Sequence, residues 1–285
     1  MNYLGIDAGA SATKWALINE NGPVASGVRE SMDGHLYRES SVERMRKVLR
    51  EIANEIKGHS VASVFMGITG VTHDGSIEKE INSVFACPST VVSDIELAYR
   101  ANFADGDGIL LYAGTGSVAY AIDENGSVHQ IGGWGYLLGD EGAGYWIGKE
   151  AIRLSLFQIE SNKELAIGSL AKLILAEIKA HDWNTVKGFV YSQDRAAIAA
   201  LSKIVDSAAS AGDSDAINIL NKAAGHLAEL VSRIDNQLSR KSLPIKFTGG
   251  INSSKFLNRE LEKFLRMRVS ISSVDIALRA AELAR

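Results

Sequence analysis

The segment Ile109-Leu110-Leu111-Tyr112-Ala113-Gly114-Thr115-Gly116-Ser117, continued by Val118–Ile122, predicts two strands joined by a turn of small residues. A similar segment begins the chain, where Tyr3–Ala8 leads through another small-residue turn to Thr13 and Lys14. Each predicted hairpin is followed by Asn-Gly, at residues 21–22 and 125–126, a pair typical of tight hairpin turns. The pattern therefore predicts a duplicated unit.

Both turns have the composition of loops that hold phosphate. Small residues let the backbone approach an anion closely, while exposed N–H groups and Ser or Thr hydroxyls donate to phosphate oxygens. Taken alone, either segment remains compatible with an ordinary hairpin turn, because glycine-rich turns are common. The presence of both turns, with Asp7 near the end of the first strand, favours a duplicated domain whose two turns bind a phosphate chain from opposite sides.

Length and composition limit the class of protein. The 285 residues are enough for two domains, and a chain with 46% hydrophobic and 22% charged residues is globular rather than disordered or collagen-like. The net charge is −4 and no dense Lys/Arg run occurs, so no nucleic-acid partner is expected. No apolar stretch approaches the roughly 18 residues of a membrane span, so we expect a cytoplasmic protein without a membrane partner.

The single cysteine and the histidines do not predict a metal site. Cys87 excludes an internal disulfide or a cysteine-ligated cluster within one chain, and we expect it to be a small buried or half-buried residue. Three histidines stand in predicted loops or strand ends without ligand spacing, and we expect them to be solvated or structural: His35, His73 and His129.

Alternating helices and strands are predicted in the first half of the chain, which indicates a mixed sheet with helices on its faces. Ser40 and Glu43 form a plausible capping box for its first helix. After the first hairpin the predicted elements are strand Val24–Arg29, helix Ser41–Lys57, strand Val61–Ile68, helix His73–Val84, strand Ser89–Ser93 and helix Ile95–Phe103.

The pattern restarts at about residue 109 and then departs through a long helical insertion. We expect the insertion to widen the second domain and to offer the surface of a homodimer. The domains are predicted at 1–107, with the C-terminal helix 276–285 as a candidate addition, and at 108–275. The predicted elements are helices Gly144–Gln158, Leu165–Ala180, Arg195–Ala211 and Asp213–Ser239, strand Leu243–Thr248, and helices Ser253–Arg266 and Ile276–Arg285.

One further segment carries a family resemblance. Gly132–Gly148 reads GGWGYLLGDEGAGYWIG and is similar to a segment of the BadF/BadG/BcrA/BcrD-type ATPases, within the actin, sugar kinase and Hsp70 superfamily. Among these, the chain most resembles the N-acetylglucosamine kinases. The resemblance covers nearly the whole length. It implies an α/β fold of two actin-like, ribonuclease H-like domains, each a mixed five-stranded sheet flanked by helices, the second with a helical insertion.

The resemblance also implies a site for ATP, Mg²⁺ and a sugar. Asp94 aligns with the catalytic aspartate of the family, and the segment from Asp7 to Lys14 matches its first phosphate loop. The residues implied to bind ATP are Gly9, Ser11, Thr13, Lys14, Gly114, Thr115, Gly116, Gly249 and Gly250. Those implied to bind the sugar are Ser117, Gly133, Trp134 and Asp140.

Each acidic residue has a functional and a structural interpretation. Asp94 is either the general base for a sugar hydroxyl or the N-cap of the helix that follows it. Asp7 either orients Mg²⁺ through water or satisfies amides of the turn. Asp140 is expected to accept a sugar hydroxyl, whereas Glu141 serves equally well as sugar ligand or as cap.

Trp134 and Lys14 are likewise open to two interpretations. Trp134 either walls the sugar or fills a core, and Lys14 either touches phosphate or is a surface residue.

The function predicted from these residues is ATP-dependent phosphorylation of a sugar hydroxyl, most simply that of N-acetylglucosamine or a related amino sugar. One alternative is an ATPase activator of the same family, whose iron–sulfur cluster needs cysteines that Cys87 cannot replace. Another is a non-catalytic sugar sensor. In the kinase interpretation, closure of the two domains on the substrates excludes water.

Overall fold

The structure is a computed structural model that describes residues 1–9, 11–161, 166 and 168–285. The predicted helix start at Leu165 lies outside the described residues, as does Ala10 in the small-residue turn that follows Tyr3–Ala8. The chain divides into two compact units, Met1–Phe103 with Ser273–Arg285, and Ala104–Ser272. In the described part of the chain, no helix has the length and apolar character needed to cross a membrane.

Within the described residues, ten strands form two mixed five-stranded sheets, as the fold class predicted. The first sheet has the order β3-β2-β1-β4-β5 and the second the order β10-β9-β6-β7-β8. The strands are β1 (Asn2–Ala8), β2 (Thr13–Asn19), β3 (Gly22–Arg29), β4 (Val61–Ile68), β5 (Ser89–Ser93), β6 (Ile109–Ala113), β7 (Ser117–Ile122), β8 (Val128–Gly132), β9 (Ile245–Thr248) and β10 (Val269–Ile271).

Eleven α-helices and one short 3₁₀ helix, Gly250–Ser253, accompany the strands of the described chain. The helices are α1 (Glu39–Glu55), α2 (Ser76–Phe85), α3 (Asp94–Asn102), α4 (Gly144–Glu160), α5 (Leu170–Glu177), α6 (Trp183–Ser192), α7 (Arg195–Ala200), α8 (Ser202–Ser210), α9 (Ser214–Gln237), α10 (Lys255–Leu265) and α11 (Ile276–Leu283).

The register of the first sheet brings several strand ends to one edge. Strands β1, β2 and β3 are antiparallel, whereas β4 lies parallel to β1 and β5 parallel to β4. Ile68 at the end of β4 pairs with both Ala8 and Ser93, the last residues of β1 and β5. Asp7 and Asp94 are therefore placed at the carboxyl edge of these parallel strands.

The C-terminal helix packs directly on the first sheet. Gly5 has no side chain, and a Cβ there would overlap backbone atoms of Ala277 and Ala281 in α11. The small, buried alanines of α11 allow this close approach between helix and strand. Helix α11 thus belongs to the core of the first unit, although it lies at the end of the chain.

Several local expectations are wrong. Helix α1 begins after Arg38 without a side-chain cap, so Ser40 lies inside the helix and the proposed capping box is absent there. The helix predicted over 195–211 is divided at Leu201 into α7 and α8. Helix α6 was missed, although Asp182 and Thr185 form a capping box at its start.

The two predicted hairpin turns differ. The first is a tight turn, because Asn19 pairs with Gly22 across two residues. The second is a longer loop between Ile122 and Val128, in which the Asp123 carboxylate accepts hydrogen bonds from the backbone N–H groups of Asn125 and Ser127. Within that loop the Gly126 N–H donates to the Asp123 carbonyl at 3.0 Å and Gly126 has φ of 81°, so the Asn125-Gly126 pair lies in a tight turn, as expected.

Cys87 is buried, as expected, and belongs to the hydrophobic core between β4, β5 and the helices of the first unit. Burial raises the pKa of its thiol. A buried thiol with a raised pKa is poorly reactive, so Cys87 is a packing residue.

Candidate active site

Asp94 is the first residue of α3, directly after β5. The cap of this helix is Ser93, whose hydroxyl accepts a hydrogen bond from the Glu96 N–H at 3.2 Å. In the described chain, the Asp94 carboxylate accepts from the adjacent Ile95 N–H at 2.9 Å and from its own backbone N–H, and from no other residue. The interpretation of Asp94 as the N-cap is therefore wrong. Burial raises the pKa of Asp94.

Asp7 lies in β1, opposite Lys14 of β2 and Gly67 of β4. Burial raises its pKa to about 6; Lys14 opposes that shift, while the nearby carboxylates of Asp94 and Asp275 add to it. Asp275, which the sequence did not single out, is an exposed residue that caps α11 by accepting a hydrogen bond from the Leu278 N–H at 3.1 Å. The sequence feature that could have identified Asp275 is an acidic residue directly before a predicted helix. Asp7, at the edge of the first sheet, is thus repelled by two further carboxylates.

This arrangement predicts that Asp7→Asn stabilises the metal-free protein at neutral pH. Ionised Asp7 costs folding energy, because its folded pKa of about 6 lies above the ordinary 3.8. The cost is absent below pH 3.8, grows as the pH rises and is complete above about pH 6. We expect Asp7→Asn to raise the free energy of unfolding by about 1–2 kcal/mol at pH 7.5. This is less than the full pKa shift implies, because solvent screens a partly exposed carboxylate.

Denaturant unfolding of both proteins at pH 7.5 and pH 4.5, in chelator, measures this gain. Glu20→Gln, which removes an exposed carboxylate of the same unit, serves as the control and should change little. A gain that is equal at both pH values, or a loss of stability at pH 7.5, contradicts the raised pKa.

The first small-residue turn is closed by a hydrogen bond from the Gly9 N–H to the Ala12 carbonyl at 3.1 Å. Ser11 and Lys14 are exposed, whereas Thr13 is fully buried. The Thr13 hydroxyl has no hydrogen-bond partner among the described residues and does not face solvent. Nucleotide contacts by Gly9, Ser11 and Lys14 stay predictions, as does that of Thr13, whose side chain points into the core.

The second turn is fixed to the start of α4. The Gly114 N–H donates to the Gly116 carbonyl at 2.9 Å, and the Gly144 N–H donates to the Gly114 carbonyl at 2.8 Å. The Tyr145 N–H donates to the Thr115 carbonyl at 3.3 Å. Within the described chain, the N–H groups of Thr115 and Gly116 donate no backbone or side-chain hydrogen bond and remain available to an anion.

Asp140 lies against this second turn. Its backbone adopts a left-handed conformation with φ of 64°, and its Oδ1 accepts a hydrogen bond from the Ser117 N–H at 3.2 Å. Burial raises the pKa of Asp140. Ser117 is buried and its hydroxyl donates to the Glu141 carbonyl at 3.0 Å. Ser117 therefore ties β7 to the Asp140 segment, while its predicted sugar contact remains untested.

The loop before Asp140 presents aromatic and aliphatic side chains to solvent. Trp134 is 60% exposed, so the interpretation as a core tryptophan is wrong. Leu137 and Leu138 are also exposed, at 79% and 77%. Gly133, the other predicted sugar residue of this loop, has φ of 72°, which favours glycine. Glu141 does not cap α4, whose N-cap is Ala143 without a side-chain hydrogen bond.

Gly249 and Gly250 follow β9 and differ in their surroundings. Gly249 has φ of 104°, and a Cβ there would overlap the carbonyl group of Ala113, just before the second turn. A Cβ on Gly250 would meet no atom within 4 Å. Only Gly249 therefore requires glycine for the fold, whereas the open surroundings of Gly250 suit close approach of a ligand.

This difference predicts unequal effects of two matched substitutions. Gly249→Ala should destabilise the protein by roughly 3 kcal/mol or more, because it combines backbone strain with overlap. Gly250→Ala should change stability by less than about 0.5 kcal/mol. Thermal unfolding of the two variants measures the difference, and equal midpoints would contradict the packing at Gly249.

In the described residues, no group of three or more His, Cys, Asp and Glu side chains is arranged to hold a metal ion. Asp7 nevertheless provides carboxylate oxygens at the edge of the first sheet. Mg²⁺ retains most of its waters and needs only one or two carboxylates, so Asp7 fits a mainly hydrated Mg²⁺ rather than a fully protein-ligated ion.

The two sheets and their flanking helices have the architecture of the actin-like sugar kinases. The solved structure of a protein from Chromobacterium violaceum, assigned as an N-acetylglucosamine kinase, matches with a TM-score of 0.80 and 24% identity, covering 100% of this chain and 99% of that one. At that identity the match establishes the fold.

The chain belongs to the BadF/BadG/BcrA/BcrD ATPase family, whose model matches residues 4–284. It is 30% identical to the N-acetylmuramic acid/N-acetylglucosamine kinase of Clostridium acetobutylicum, over 100% of this chain and 99% of the relative. It is 23% identical to the N-acetyl-D-glucosamine kinase of Dictyostelium discoideum, over 99% of this chain and 97% of that protein. The family resemblance noted from the sequence is thus confirmed.

Proposed function

We propose that this protein is an ATP-dependent sugar kinase in which Asp94 is the general base. The observation that carries the proposal is the state of Asp94: its partly buried carboxylate lies at a sheet edge and does not cap α3, because Ser93 has that role. Two full-length relatives that are named as amino-sugar kinases support the same reaction.

Nucleotide binding is assigned to the two small-residue turns and the Gly249-Gly250 turn. The N–H groups of Thr115 and Gly116, which make no other hydrogen bond in the described chain, are suited to phosphate oxygens. The Thr115 hydroxyl adds a donor. Gly9, Ser11 and Lys14 are the corresponding candidates of the first turn, and the open backbone at Gly250 is the candidate contact of the adenosine.

Mg²⁺ is assigned to Asp7, held through water. When bound, the ion offsets the negative charge of the phosphates and of the transferred group. Bound Mg²⁺ would also offset the repulsion from Asp94 and Asp275, which adds to the effect of burial in raising the pKa of Asp7.

Asp94 is proposed to take the proton of the attacking sugar hydroxyl. A base works best when its pKa lies near the working pH, and burial moves the pKa of Asp94 in that direction from the ordinary 3.8. Asp140 is proposed to accept a hydrogen bond from a second sugar hydroxyl. Its carboxylate is held by the Ser117 N–H, and exposed Trp134 precedes it in the same loop.

The substrate is proposed to be N-acetylglucosamine or a related amino sugar, on the strength of the names of the two relatives. The homodimer predicted from the helical insertion, and the cytoplasmic location predicted from the sequence, stay predictions.

Coupled ADP release across a panel of amino sugars and hexoses tests the proposal. We expect release to require both Mg²⁺ and a sugar, with N-acetylglucosamine or a close derivative giving the highest kcat/KM. Hydrolysis at the full rate without sugar would instead indicate an ATPase activator. Sugar binding without ADP release would indicate a sensor.

A further inference from the structure

Arg195 is an exposed residue at the first position of α7 in the second unit. The helix is capped by Asp194, which accepts a hydrogen bond from the Ala197 N–H at 2.9 Å. It also packs tightly on α4, because a Cβ at Gly148 would overlap the Ile198 carbonyl oxygen. The backbone at Arg195 is therefore held in a fixed position relative to the start of α4.

The guanidinium group of Arg195 lies over an aromatic pair beside the second turn. Its Cζ is 5.1 Å from the ring centroid of Tyr136, and the Tyr136 ring meets the Tyr145 ring edge-on at a centroid distance of 5.1 Å. The Tyr145 N–H in turn donates to the Thr115 carbonyl. Stacking on a ring leaves the N–H edge of a guanidinium free to bind a planar anion.

The charge of Arg195 is not neutralised by a side chain of the described residues, since no carboxylate forms an ion pair with it there. It acts instead on Asp140 and Tyr145: burial raises the pKa of both groups, and Arg195 opposes the shift. Arg259 offers a contrast within the same unit. It lies 4.9 Å above the Phe256 ring, but its Nε is 3.0 Å from the Glu260 carboxylate.

We infer that Arg195 is a specificity-determining residue that binds the carboxylate of an acidic amino sugar, next to the hydroxyl that Asp140 accepts. The inference rests on the proposed function and names a substrate class for it. An unpaired arginine beside a carboxylate acceptor provides one site for a hydroxyl and one for an acid group. Bidentate contact between guanidinium and carboxylate is both strong and selective in geometry.

The nucleotide is the other source of an anion near the second turn. The free N–H groups of Thr115 and Gly116 already supply donors for its phosphates. Arg195 instead contacts Tyr136, which lies in the same loop as Trp134 and Asp140, the residues assigned to the sugar. This placement favours the carboxylate of the sugar over a phosphate of ATP.

Calorimetric titration without ATP tests the inference on the intact protein. The probes are N-acetylmuramic acid, which carries a carboxylate, and N-acetylglucosamine, which does not. We expect the wild type to bind the acidic sugar more tightly. Arg195→Gln should weaken binding of the acidic sugar about 10- to 100-fold and alter binding of the neutral sugar little. Hydrogen bonds between a guanidinium and a carboxylate are stronger than neutral hydrogen bonds, and only the acidic sugar carries a carboxylate. Arg195→Lys should bind the acidic sugar with an affinity between those of the wild type and Arg195→Gln.

Arg259→Gln is the matched control and should leave both affinities unchanged. An equal loss for both sugars, or no loss for the acidic one, overturns the inference, as does a wild type that does not prefer the acidic sugar. A higher KM for ATP with unchanged sugar affinities would assign Arg195 to phosphate and also overturn it. ADP release with N-acetylglucosamine is measured separately, so failure of the kinase reaction is distinguished from failure at Arg195.

Discussion

Asp94→Asn lowers kcat by about 10²–10⁴-fold and leaves ATP affinity nearly unchanged, if Asp94 is the general base. The amide keeps the shape of the carboxylate and its hydrogen bond from Ile95 but cannot take a proton. In the wild type, kcat should fall as the pH drops through the pKa of Asp94, which burial holds above the ordinary 3.8. Steady-state kinetics from pH 4.5 to 8, together with nucleotide titration, measures both effects.

Ser93→Ala separates this role from a structural one. It removes the cap of α3 and should cost about 1 kcal/mol of stability, while kcat stays close to that of the wild type. A Ser93 variant as inactive as Asp94→Asn, or an Asp94→Asn variant with nearly normal kcat, contradicts the assignment.

Gly116→Val should nearly abolish nucleotide binding. A Cβ at Gly116 would lie 2.6 Å from Oδ2 of Asp140, a short side chain already bonded to the Ser117 N–H, so the turn has to move. That movement displaces the N–H groups of Thr115 and Gly116. Thr115→Ala, which loses only the hydroxyl, should weaken binding less, by about 5- to 10-fold.

Nucleotide titration by fluorescence or calorimetry measures this series, and circular dichroism checks the fold. Gly188→Ala is the control, because Gly188 lies inside α6 and a Cβ there meets no atom within 4 Å. That variant should bind nucleotide normally. Normal titrations for both turn variants would contradict a phosphate-binding role of the second turn.

Much of the fold is predictable from local patterns. Strands β4 and β5 have the predicted bounds, and the duplicated hairpins mark the centres of both sheets. These segments are apolar runs bounded by turn residues, so their pattern is unambiguous. The division at Leu201 and the short edge strand β10 were not predicted, because tertiary packing decides them and the local pattern does not.

The candidate site was predicted less completely. Motif comparison identified Asp94 and Asp140. Serine and aspartate both cap helices well, so the sequence did not decide between Ser93 and Asp94, and the structure shows that Ser93 caps α3. The exposure of Trp134 and the burial of Thr13 depend on which face of a loop or strand meets the core. Arg195 carries no motif at all, since only the packing of α7 on α4 brings it over Tyr136.

The central claim is phosphoryl transfer from ATP to a sugar, and the direct measurement is the ratio of ADP released to phosphorylated sugar formed. The wild type is incubated with Mg²⁺-ATP and N-acetylglucosamine; ADP is measured enzymatically and the sugar by mass spectrometry. We expect one ADP to be released per sugar phosphate formed, and little ADP to be released when sugar is omitted. ADP release at the same rate without sugar, and no phosphorylated product across the panel of amino sugars and hexoses, would contradict it.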